Sequence, residues 1–315
     1  MKKSTLLAVV GSLCLILGLI VTSVPASDNK GPGYSIFDET IADMTWPEVE
    51  KAAKDGAIIL LPTGVIEQHG PHLPLAVDTY GAYIRSKLTK QNLEEKGIKA
   101  LITPPFYWGI NNASGAFPGS FTTRKETTKA VIYDMLANIK GWGFNYVFVL
   151  NHHGDTYHEI AILEAVKQAR IDFGIRAYYI LPKSSAQRFN LAGRDETGAF
   201  PYQILITPSP PPGPPPAFYD IHAGKGETGM MMHYFPQLVN TELAKTLKPN
   251  YPTFEDTLTF RKGWSDSRKL TPLGYMGDPA SFDPGASKKN YEAAAKTMAD
   301  VIESFLKGTY VPPLP

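Results

Sequence analysis

The residues that could carry chemistry in this sequence are histidines and carboxylates, and they cluster in three stretches of the chain. All of the seven histidines except His233 lie in these stretches. The side chains are Glu67, His69, His72 and Asp78 in the first stretch, His152, His153, Asp155, His158 and Glu159 in the second, and His222 and Glu227 in the third. Imidazole nitrogens and carboxylate oxygens are ligands that suit Zn²⁺ and Mn²⁺. The clustering therefore predicts a metal site rather than a set of solvated histidines.

Cysteine does not contribute to this predicted site. The single cysteine of the 315 residues is Cys14, and it falls in an N-terminal segment that we expect to be removed. A metal in the mature protein must therefore be held by nitrogen and oxygen ligands. Ser114 and Ser120 have no activating base beside them in the sequence, which argues against a serine nucleophile.

Short apolar segments lead directly into the first two stretches. Residues 57–61 read AIILL and are followed by Pro62, and residues 146–150 read YVFVL. An apolar segment of this length that ends at Pro, Gly or Asn predicts a buried strand followed by a loop. In parallel α/β sheets, ligands bind outside the carboxyl ends of the strands. We therefore expect His69 and His153 to share one site although they are far apart in the chain.

Predicted strands alternate with predicted helices along most of the sequence. The spacing predicts strands over residues 57–61, 100–104, 146–150 and 176–181, and helices over residues 79–96, 124–142, 156–173, 227–235 and 290–307, with a further short helix after Thr45. This alternation is typical of βαβ units. The predicted fold class is α/β: a single three-layer α/β domain with a mainly parallel sheet flanked by helices.

The N-terminus has the pattern of a secretory signal peptide. Lys2 and Lys3 precede an uncharged apolar segment over residues 6–21, and residues 24–26, VPA, form a small-residue cleavage pattern. We expect residues 1–26 to be removed and the mature protein to be exported to the periplasm or the extracellular space, without stable membrane association. The alternative is an uncleaved membrane anchor, although the apolar segment is near the short limit for a span.

The remaining chain is expected to form a linker over residues 27–44 and one domain over residues 45–315. Residues 208–216 of that domain, PSPPPGPPP, predict an exposed polyproline loop. The chain is 43% hydrophobic and 19% charged, which is enough for a full core. Its formal net charge is +1 and it has no basic block, so no nucleic-acid partner is expected.

Four sequence segments together resemble the creatininase (creatinine amidohydrolase) family. They are E-Q-H-G-P-H-L-P-L-x-x-D at residues 67–78, F-P-G-S at residues 117–120, N-x-H-G-D at residues 151–155 and H-A-G-x-x-E-T at residues 222–228. The resemblance implies a creatininase-like α/β fold and a homo-oligomer, often a hexamer. It also implies two divalent metal ions, Zn and/or Mn, and hydrolysis of a C–N bond in a small-molecule substrate, a cyclic amide or a related amide.

The resemblance implies roles for individual residues as well. The metal ligands would be Glu67 and His153 for one ion, His69 and Asp155 for the other, and Asp78 as a bridge between both. The catalytic residues would be His222 and Glu227, which would sit beside the substrate and move protons. A bridging carboxylate suits two-metal hydrolysis, in which a water molecule is activated and the substrate carbonyl is polarised.

Three positions depart from the family pattern. Asp155 stands where creatininase itself has a longer Glu, His152 occupies a position that is usually Gly, and residues 111–114 replace a Glu-His pair found in relatives. Two alternatives to amide hydrolysis therefore stay open. One is a non-catalytic member of the family that binds a metal or a small ligand, and the other is a lactone or ester hydrolase that uses the same centre.

Overall fold

The computed structural model describes residues 35–188, 204–208 and 218–313. In chain order, the strands and α-helices are α1 (Trp46–Lys54), β1 (Ile58–Thr63), α2 (Val77–Glu95), β2 (Ala100–Ile102), α3 (Lys125–Gly141), β3 (Tyr146–Asn151), α4 (Thr156–Phe173), β4 (Arg176–Pro182), α5 (Lys183–Arg188), β5 (Ile204–Thr207), α6 (Lys225–Tyr234), α7 (Thr241–Thr246), α8 (Phe254–Lys262), α9 (Trp264–Leu270) and α10 (Pro284–Leu306). Among these helices none is long and apolar enough to cross a membrane.

The strands form one parallel sheet in the order β2-β1-β3-β4-β5. In its centre, Leu60 of β1 pairs with Phe148 of β3 and Thr63 pairs with Asn151. The chain continues from β1 to β2 on one side and from β3 to β4 on the other. A crevice forms where strand order reverses in this way, at the carboxyl ends of β1 and β3. The predicted α/β fold is confirmed.

Two hydrophobic cores lie on opposite faces of this sheet. Ile59 and Leu61 of β1 point to one face, where they pack with side chains of α1, α3 and α4. Leu60 points to the other face, toward α2 and α10, because successive strand residues alternate in direction. The result is three layers, with helices on both sides of the sheet as predicted. The site at the carboxyl edge thus rests on a rigid, fully buried platform.

The element boundaries differ from the sequence prediction in two informative places. Helix α2 begins at Val77, so Asp78 lies in its first turn rather than in the preceding loop. The region after α6 contains three short α-helices that were not predicted, because their apolar residues show no helical periodicity. One of them, α8, is defined by a capping box in which Thr253 and Asp256 bond each other's backbone N–H groups. Short helices of this kind depend on caps and tertiary packing more than on periodicity.

The compact unit of the structure is Tyr34–Pro315, so it begins before the predicted domain boundary at residue 45. The short 3-10 helix Ile41–Asp43 falls in the stretch predicted as a linker. The predicted signal peptide, residues 1–26, lies outside the described residues. So does the predicted proline-rich loop, residues 208–216, apart from its first residue.

Candidate metal centre

The loop after β1 and the first turn of α2 bring the first stretch of candidate ligands together. Glu67 and His69 lie in this loop, and Asp78 enters from the helix. Gly64 makes the close approach possible, because a Cβ at that position would lie 2.8 Å from the backbone carbonyl carbon of Asp78. Glu67, His69 and Asp78 are all buried, so a polar cluster forms inside the protein next to the sheet.

His153 enters the same cluster from the end of β3. The Asn151 side chain holds its backbone, donating to the His153 carbonyl at 2.6 Å and accepting from the His153 N–H at 3.2 Å. Its Nε2 lies 3.0 Å from the Ile110 carbonyl, which can only accept, so Nε2 carries the proton. Nδ1 faces Asp78 Oδ2 at 2.9 Å and Glu67 Oε1 at 3.1 Å, and although burial opposes it, the attraction of these two carboxylates raises the pKa of His153 well above its ordinary value. Without a metal Nδ1 therefore also carries a proton, and a cation bound at this position would replace that proton.

The third stretch is held against the site by a short antiparallel bridge. The His222 and Met276 backbones exchange hydrogen bonds of 2.8 and 3.2 Å. Ala223 follows in a left-handed conformation with φ of 50°, and its N–H donates to Glu227 Oε2 in the first turn of α6. This tight turn points both His222 and Glu227 toward the cluster.

Asp78 is shared by two groups of possible metal ligands. The groups are Glu67 with Asp78 and His153, and His69 with Asp78 and Glu227, and within each the ligand atoms lie within 4.8 Å of one another. A third group of the same kind combines Glu67, His69 and His222. In the second group, His69 Nε2 lies 3.6 Å from Glu227 Oε2 and 3.7 Å from Asp78 Oδ1. Asp78 is thus common to two of the possible ligand groups, which is the placement that a bridging carboxylate requires.

The distances within the cluster suit coordination of divalent cations better than hydrogen bonding between its residues. His69 Nε2 is buried and has no hydrogen-bond partner among the described residues. Its 3.6 and 3.7 Å separations from carboxylate oxygens are too long for hydrogen bonds. They are close to the spacing of about 3.4 Å expected for two ligands that share one tetrahedral ion with bonds of about 2.1 Å. Donor chemistry and geometry agree that this is a metal-binding cluster.

Electrostatics leads to the same conclusion. Burial raises the pKa of Asp78, and it also raises the pKa of Glu227, because ionised carboxylates lose hydration inside the protein. Glu67 is a third buried carboxylate in the same cluster. Such a concentration of negative charge is stable only if positive charge accompanies it. The histidines supply part of that charge when protonated, and divalent cations would supply it without a proton.

The structure differs from the predicted ligand set at Asp155. This residue belongs to none of the ligand groups formed by the described residues. It is the N-cap of α4: Oδ1 accepts from the N–H groups of Tyr157 at 2.8 Å and His158 at 3.3 Å, and Oδ2 accepts from the Asn112 N–H at 2.9 Å. With these three hydrogen bonds the carboxylate is committed to the backbone. Glu227, predicted as a catalytic proton carrier, is the residue that meets His69 and Asp78.

Several supporting residues carry no motif and were not assigned to the site from the sequence. Ser114 Oγ donates to Glu67 Oε2, so a serine without a base serves here as a donor to a carboxylate. The Gln68 carbonyl accepts from His222 Nε2 at 2.7 Å. Tyr291 of α10 contacts His152, which in turn reaches Asp78. His72 bonds Thr228 Oγ1 at 2.8 Å and is not among the ligand groups formed by the described residues.

A cavity of about 410 Å³ opens over the cluster. Its floor is formed by the carboxylates and histidines described above. Its walls and mouth are formed by residues of α4, the loop before α6 and α8, among them Tyr157, Ile221, Phe260 and Arg261. The Phe260 ring lies 5.3 Å from that of His222, and Tyr157 is 58% exposed at the opening. The volume is in the range of small-molecule sites.

Comparison with known proteins decides the family. A family model described as creatininase, creatinine amidohydrolase, matches residues 42–302. The chain belongs to the creatininase family. The family predicted from the four segments is thereby confirmed, and the protein is a hydrolase of the amidohydrolase type.

Individual relatives of this creatininase-family chain are distant. It is 25% identical over 241 residues to the mycofactocin precursor peptide peptidase of Mycobacterium ulcerans (strain Agy99), covering 75% of this chain and 77% of the relative. It is 26% identical over 211 residues to the creatinine amidohydrolase of Pseudomonas putida, covering 64% and 74%. The fold is similar to that of a solved structure described as creatininase Mn, with a TM-score of 0.58, 20% identity and coverage of 85% and 98%. A mutant creatininase of the Zn–Zn type gives a TM-score of 0.58 at 19% identity, covering 87% and 99%.

Proposed function

We propose that this protein is a dinuclear metal-dependent amidohydrolase that opens a C–N bond in a small cyclic amide or a related amide. The observation that carries the proposal is the sharing of Asp78 between two groups of buried ligands at the floor of a cavity. In this proposal, Glu67, Asp78 and His153 hold one ion, and His69, Asp78 and Glu227 hold the other. Zn²⁺ and Mn²⁺ are the candidate ions, since these ligands suit both and two of the similar structures are named for them.

When bound, two divalent cations would lower the pKa of a bound water and polarise the carbonyl oxygen of the substrate. The protein's own part is to hold and move protons at stated atoms. His222 Nε2 donates to the Gln68 carbonyl at 2.7 Å, so the lone pair is on Nδ1. Nδ1 lies 4.0 Å from Glu67 Oε1 at the cavity floor. We assign His222 Nδ1 the role of accepting a proton from the attacking water and then giving that proton to the leaving nitrogen.

Phe260 and the turn at Ala223 hold the His222 ring in place for this role. The Phe260 ring packs beside it with ring centres 5.3 Å apart, and the Ala223 backbone fixes the direction in which the side chain leaves the chain. Glu227 then has a different role from the predicted one. Its Oε2 faces His69 at 3.6 Å and accepts from the Ala223 N–H, which suits a fixed metal ligand better than a mobile proton carrier.

The experiment is a hydrolysis screen with a metal control. Purified protein would be incubated with lactams, cyclic guanidine amides such as creatinine, linear amides, short peptides and lactones. We expect turnover of at least one cyclic or linear amide, loss of turnover after chelation, and recovery with Zn²⁺ or Mn²⁺. His222→Gln should lower kcat by about 10²–10⁴-fold, the usual contribution of a general acid or base, without changing metal content.

The screen also separates the alternatives. Turnover confined to lactones or esters would favour the ester hydrolase. Metal binding and ligand binding without turnover across the panel would favour a non-catalytic family member. A second candidate, cleavage of a short peptide, is favoured by the exposed Tyr157 at the open mouth of the cavity and by similarity to a peptide peptidase.

We also propose export through residues 1–26 and assembly into a homo-oligomer, a hexamer by family resemblance. The support for export is the basic, apolar and small-residue pattern of the N-terminus. Mass analysis of the protein from a secreting host would detect cleavage after Ala26, and light scattering would give the number of chains. A full-length chain in the membrane fraction would contradict the export proposal, and a monomer at micromolar concentration would contradict the assembly.

A further inference from the structure

His152 fills a gap between the carboxylate shared by both ligand groups and the last helix. Its Nδ1 lies 3.3 Å from Asp78 Oδ1, and its Nε2 bonds the hydroxyl of Tyr291 in α10. The side chain is 7% exposed, so water does not compete for these contacts. His152 is also one of the positions that depart from the family pattern. A connection between Asp78 and α10 is therefore a feature of this chain's own residues.

The hydrogen bonds in this connection have a defined direction. An ionised carboxylate can only accept, so Nδ1 of His152 donates to Asp78 Oδ1. A neutral imidazole then has its lone pair on Nε2, and Nε2 accepts from the Tyr291 hydroxyl. The chain of donors runs from Tyr291 through His152 to Asp78. Each group orients the next, and the tyrosine selects the histidine tautomer that can reach the carboxylate.

Neighbouring residues are shaped to accommodate this arrangement. Gly81 lies one turn after Asp78 in α2, and a Cβ there would lie 2.6 Å from the His152 ring. Arg85, one turn further, donates to the Asn151 carbonyl at 2.8 Å, and its guanidinium lies 5.7 Å from the centre of the Tyr291 ring. The absence of a side chain at Gly81 and the placement of Arg85 leave room for His152 in one orientation.

The two oxygens of Asp78 have different surroundings. Oδ2 faces His153 Nδ1 at 2.9 Å and has no hydrogen-bond partner among the described residues. Oδ1 faces His69 Nε2 at 3.7 Å and has His152 as its hydrogen-bond partner. A carboxylate can bridge two ions only if its plane is fixed so that each oxygen serves one of them. The contact with His152 fixes that plane from the Oδ1 side.

We propose that Tyr291 and His152 are positioning residues that orient Asp78 so that its Oδ1 completes the ion position formed with His69 and Glu227. The inference rests on the proposed dinuclear centre and goes beyond it, since it assigns a role to the last helix and to His152. His152 and Tyr291 belong to none of the ligand groups formed by the described residues. Both act through Asp78, and the effect is largest at the ion position that Oδ1 completes.

Tyr291→Phe is the direct test, and Tyr234→Phe is its matched control. Tyr234 lies beside Tyr291 with ring centres 6.2 Å apart, and its buried hydroxyl has no hydrogen-bond partner among the described residues. Stepwise Zn²⁺ affinities would be measured by competition with a chromogenic chelator. Glu227 is in the ligand group of His69, so the Zn²⁺-binding step that Glu227→Gln weakens is the step at the His69 position. We expect Tyr291→Phe to weaken that step by about 10–100-fold, the usual effect of removing a residue that orients a metal ligand.

Both steps in Tyr234→Phe should stay within about threefold of wild type, because their ligands keep all their orienting contacts. The other step in Tyr291→Phe should weaken less than the step at the His69 position, because Asp78 Oδ2 faces His153 and not His152. Unfolding of the metal-free proteins provides a check on folding. An equal loss of affinity in Tyr291→Phe and Tyr234→Phe would overturn the inference in favour of simple packing. Unchanged affinities in Tyr291→Phe, with two ions bound to wild type, would overturn it while leaving the proposed function intact. A wild-type protein that binds no ion would overturn both.

A double-mutant cycle tests whether Tyr291 acts through His152. In His152→Asn, the shorter amide can still donate to Asp78 without needing Tyr291. Leu is similar in size to Asn but has no hydrogen-bond donor. We therefore expect His152→Asn to retain more of the Zn²⁺ affinity at the His69 position than His152→Leu does. Adding Tyr291→Phe to His152→Asn should change the affinity by less than about threefold, because the shared partner is gone. A full loss from Tyr291→Phe in that background would contradict the proposed connection.

Discussion

Substitutions of Asp155 and Glu227 are expected to have different effects. The first should lower the stability of the protein, and the second should lower its metal content. Asp155 caps α4 with two hydrogen bonds to backbone N–H groups and accepts a third from the Asn112 N–H, and it lies outside the ligand groups formed by the described residues. Glu227 faces His69 at 3.6 Å within a ligand group. Asp155→Ala should therefore destabilise the protein and keep both ions. Glu227→Gln should lose one ion and leave the metal-free protein as stable as wild type, or more stable.

The size of the Asp155 effect follows from its contacts. Loss of a helix N-cap costs about 1 kcal/mol, with a usual range of about 0.5–2 kcal/mol. The Asn112 N–H, which bonds the second carboxylate oxygen at 2.9 Å, would also lose its partner, at a further cost of about 1 kcal/mol. We expect a total loss of about 2 kcal/mol in the free energy of unfolding. For a compact unit of about 280 residues that lowers Tm by roughly 3–4 °C.

Glu227→Gln should have the contrary effect on the metal-free protein. Burial raises the pKa of Glu227, which means that its ionised form is unfavourable when no cation is bound. A neutral amide of the same shape removes that unfavourable charge and can still accept from the Ala223 N–H. Removal of a carboxylate ligand should meanwhile leave the His69 position with two protein ligands. We expect occupancy to fall toward one ion per chain.

The assay pairs elemental analysis with urea and thermal unfolding of chelated protein. Wild type, Asp155→Ala, Asp155→Asn and Glu227→Gln would be compared at one pH, with Asp155→Asn as the variant that keeps one capping oxygen and so loses less stability. The reasoning would be refuted if Asp155→Ala lost an ion while its chelated form unfolded like wild type. That result would mean that the capping carboxylate turns toward the cluster when metal is bound.

Three further predictions concern residues around the site. Ser114→Ala removes the donor to Glu67 Oε2 and should weaken metal binding by about 10–100-fold; unchanged stepwise affinities would contradict this. Gly81→Ala should destabilise the fold by about 1–3 kcal/mol, because its Cβ would overlap the His152 ring, and denaturant unfolding should show recovery in Gly81→Ala/His152→Gly. Burial lowers the pKa of His72 from 6.5 to about 4. Between these pH values the unfolded chain binds a proton that the folded protein does not. The free energy of unfolding should therefore decrease by at most about 3 kcal/mol as the pH is lowered from 6.5 to 4. His72→Gln should lose that part of the pH dependence in chelated protein, and a parallel slope in both proteins would argue against a neutral buried ring.

Four of the five strands and the long helices were predictable because local apolar spacing indicates their burial, whereas the short strand β5 (Ile204–Thr207) was not predicted. The apolar segment at Ile58–Thr63 and the helix Thr156–Phe173 agree with the prediction to within one or two residues. Chain order then placed two ligand stretches at neighbouring strand ends, since the carboxyl ends of parallel strands share one edge. The bridging position of Asp78 was predicted from family resemblance, although its place in a helix was not.

The remaining parts of the site depend on contacts that local sequence does not encode. Tyr291 and His152 are 139 residues apart, and the tyrosine lies in a helix whose periodicity signals only burial. For the same reason, the local sequence does not show that Glu227, and not Asp155, lies beside His69. Both carboxylates lie at the start of a helix, where a cap and a metal ligand have the same residue type. Only the path of the loop before each helix decides which of them reaches His69.

The most direct test of the account is the metal content per chain of wild type and Asp78→Asn, measured by elemental analysis after gentle purification and again after Zn²⁺ or Mn²⁺ is supplied. Asp78 is the one residue in both ligand groups that make up the proposed dinuclear centre. The account predicts about two ions per wild-type chain. It predicts a loss from both positions in Asp78→Asn, with the fold retained. A wild-type protein that binds no ion under either condition would contradict the dinuclear centre, and so would an Asp78→Asn variant that retains both ions.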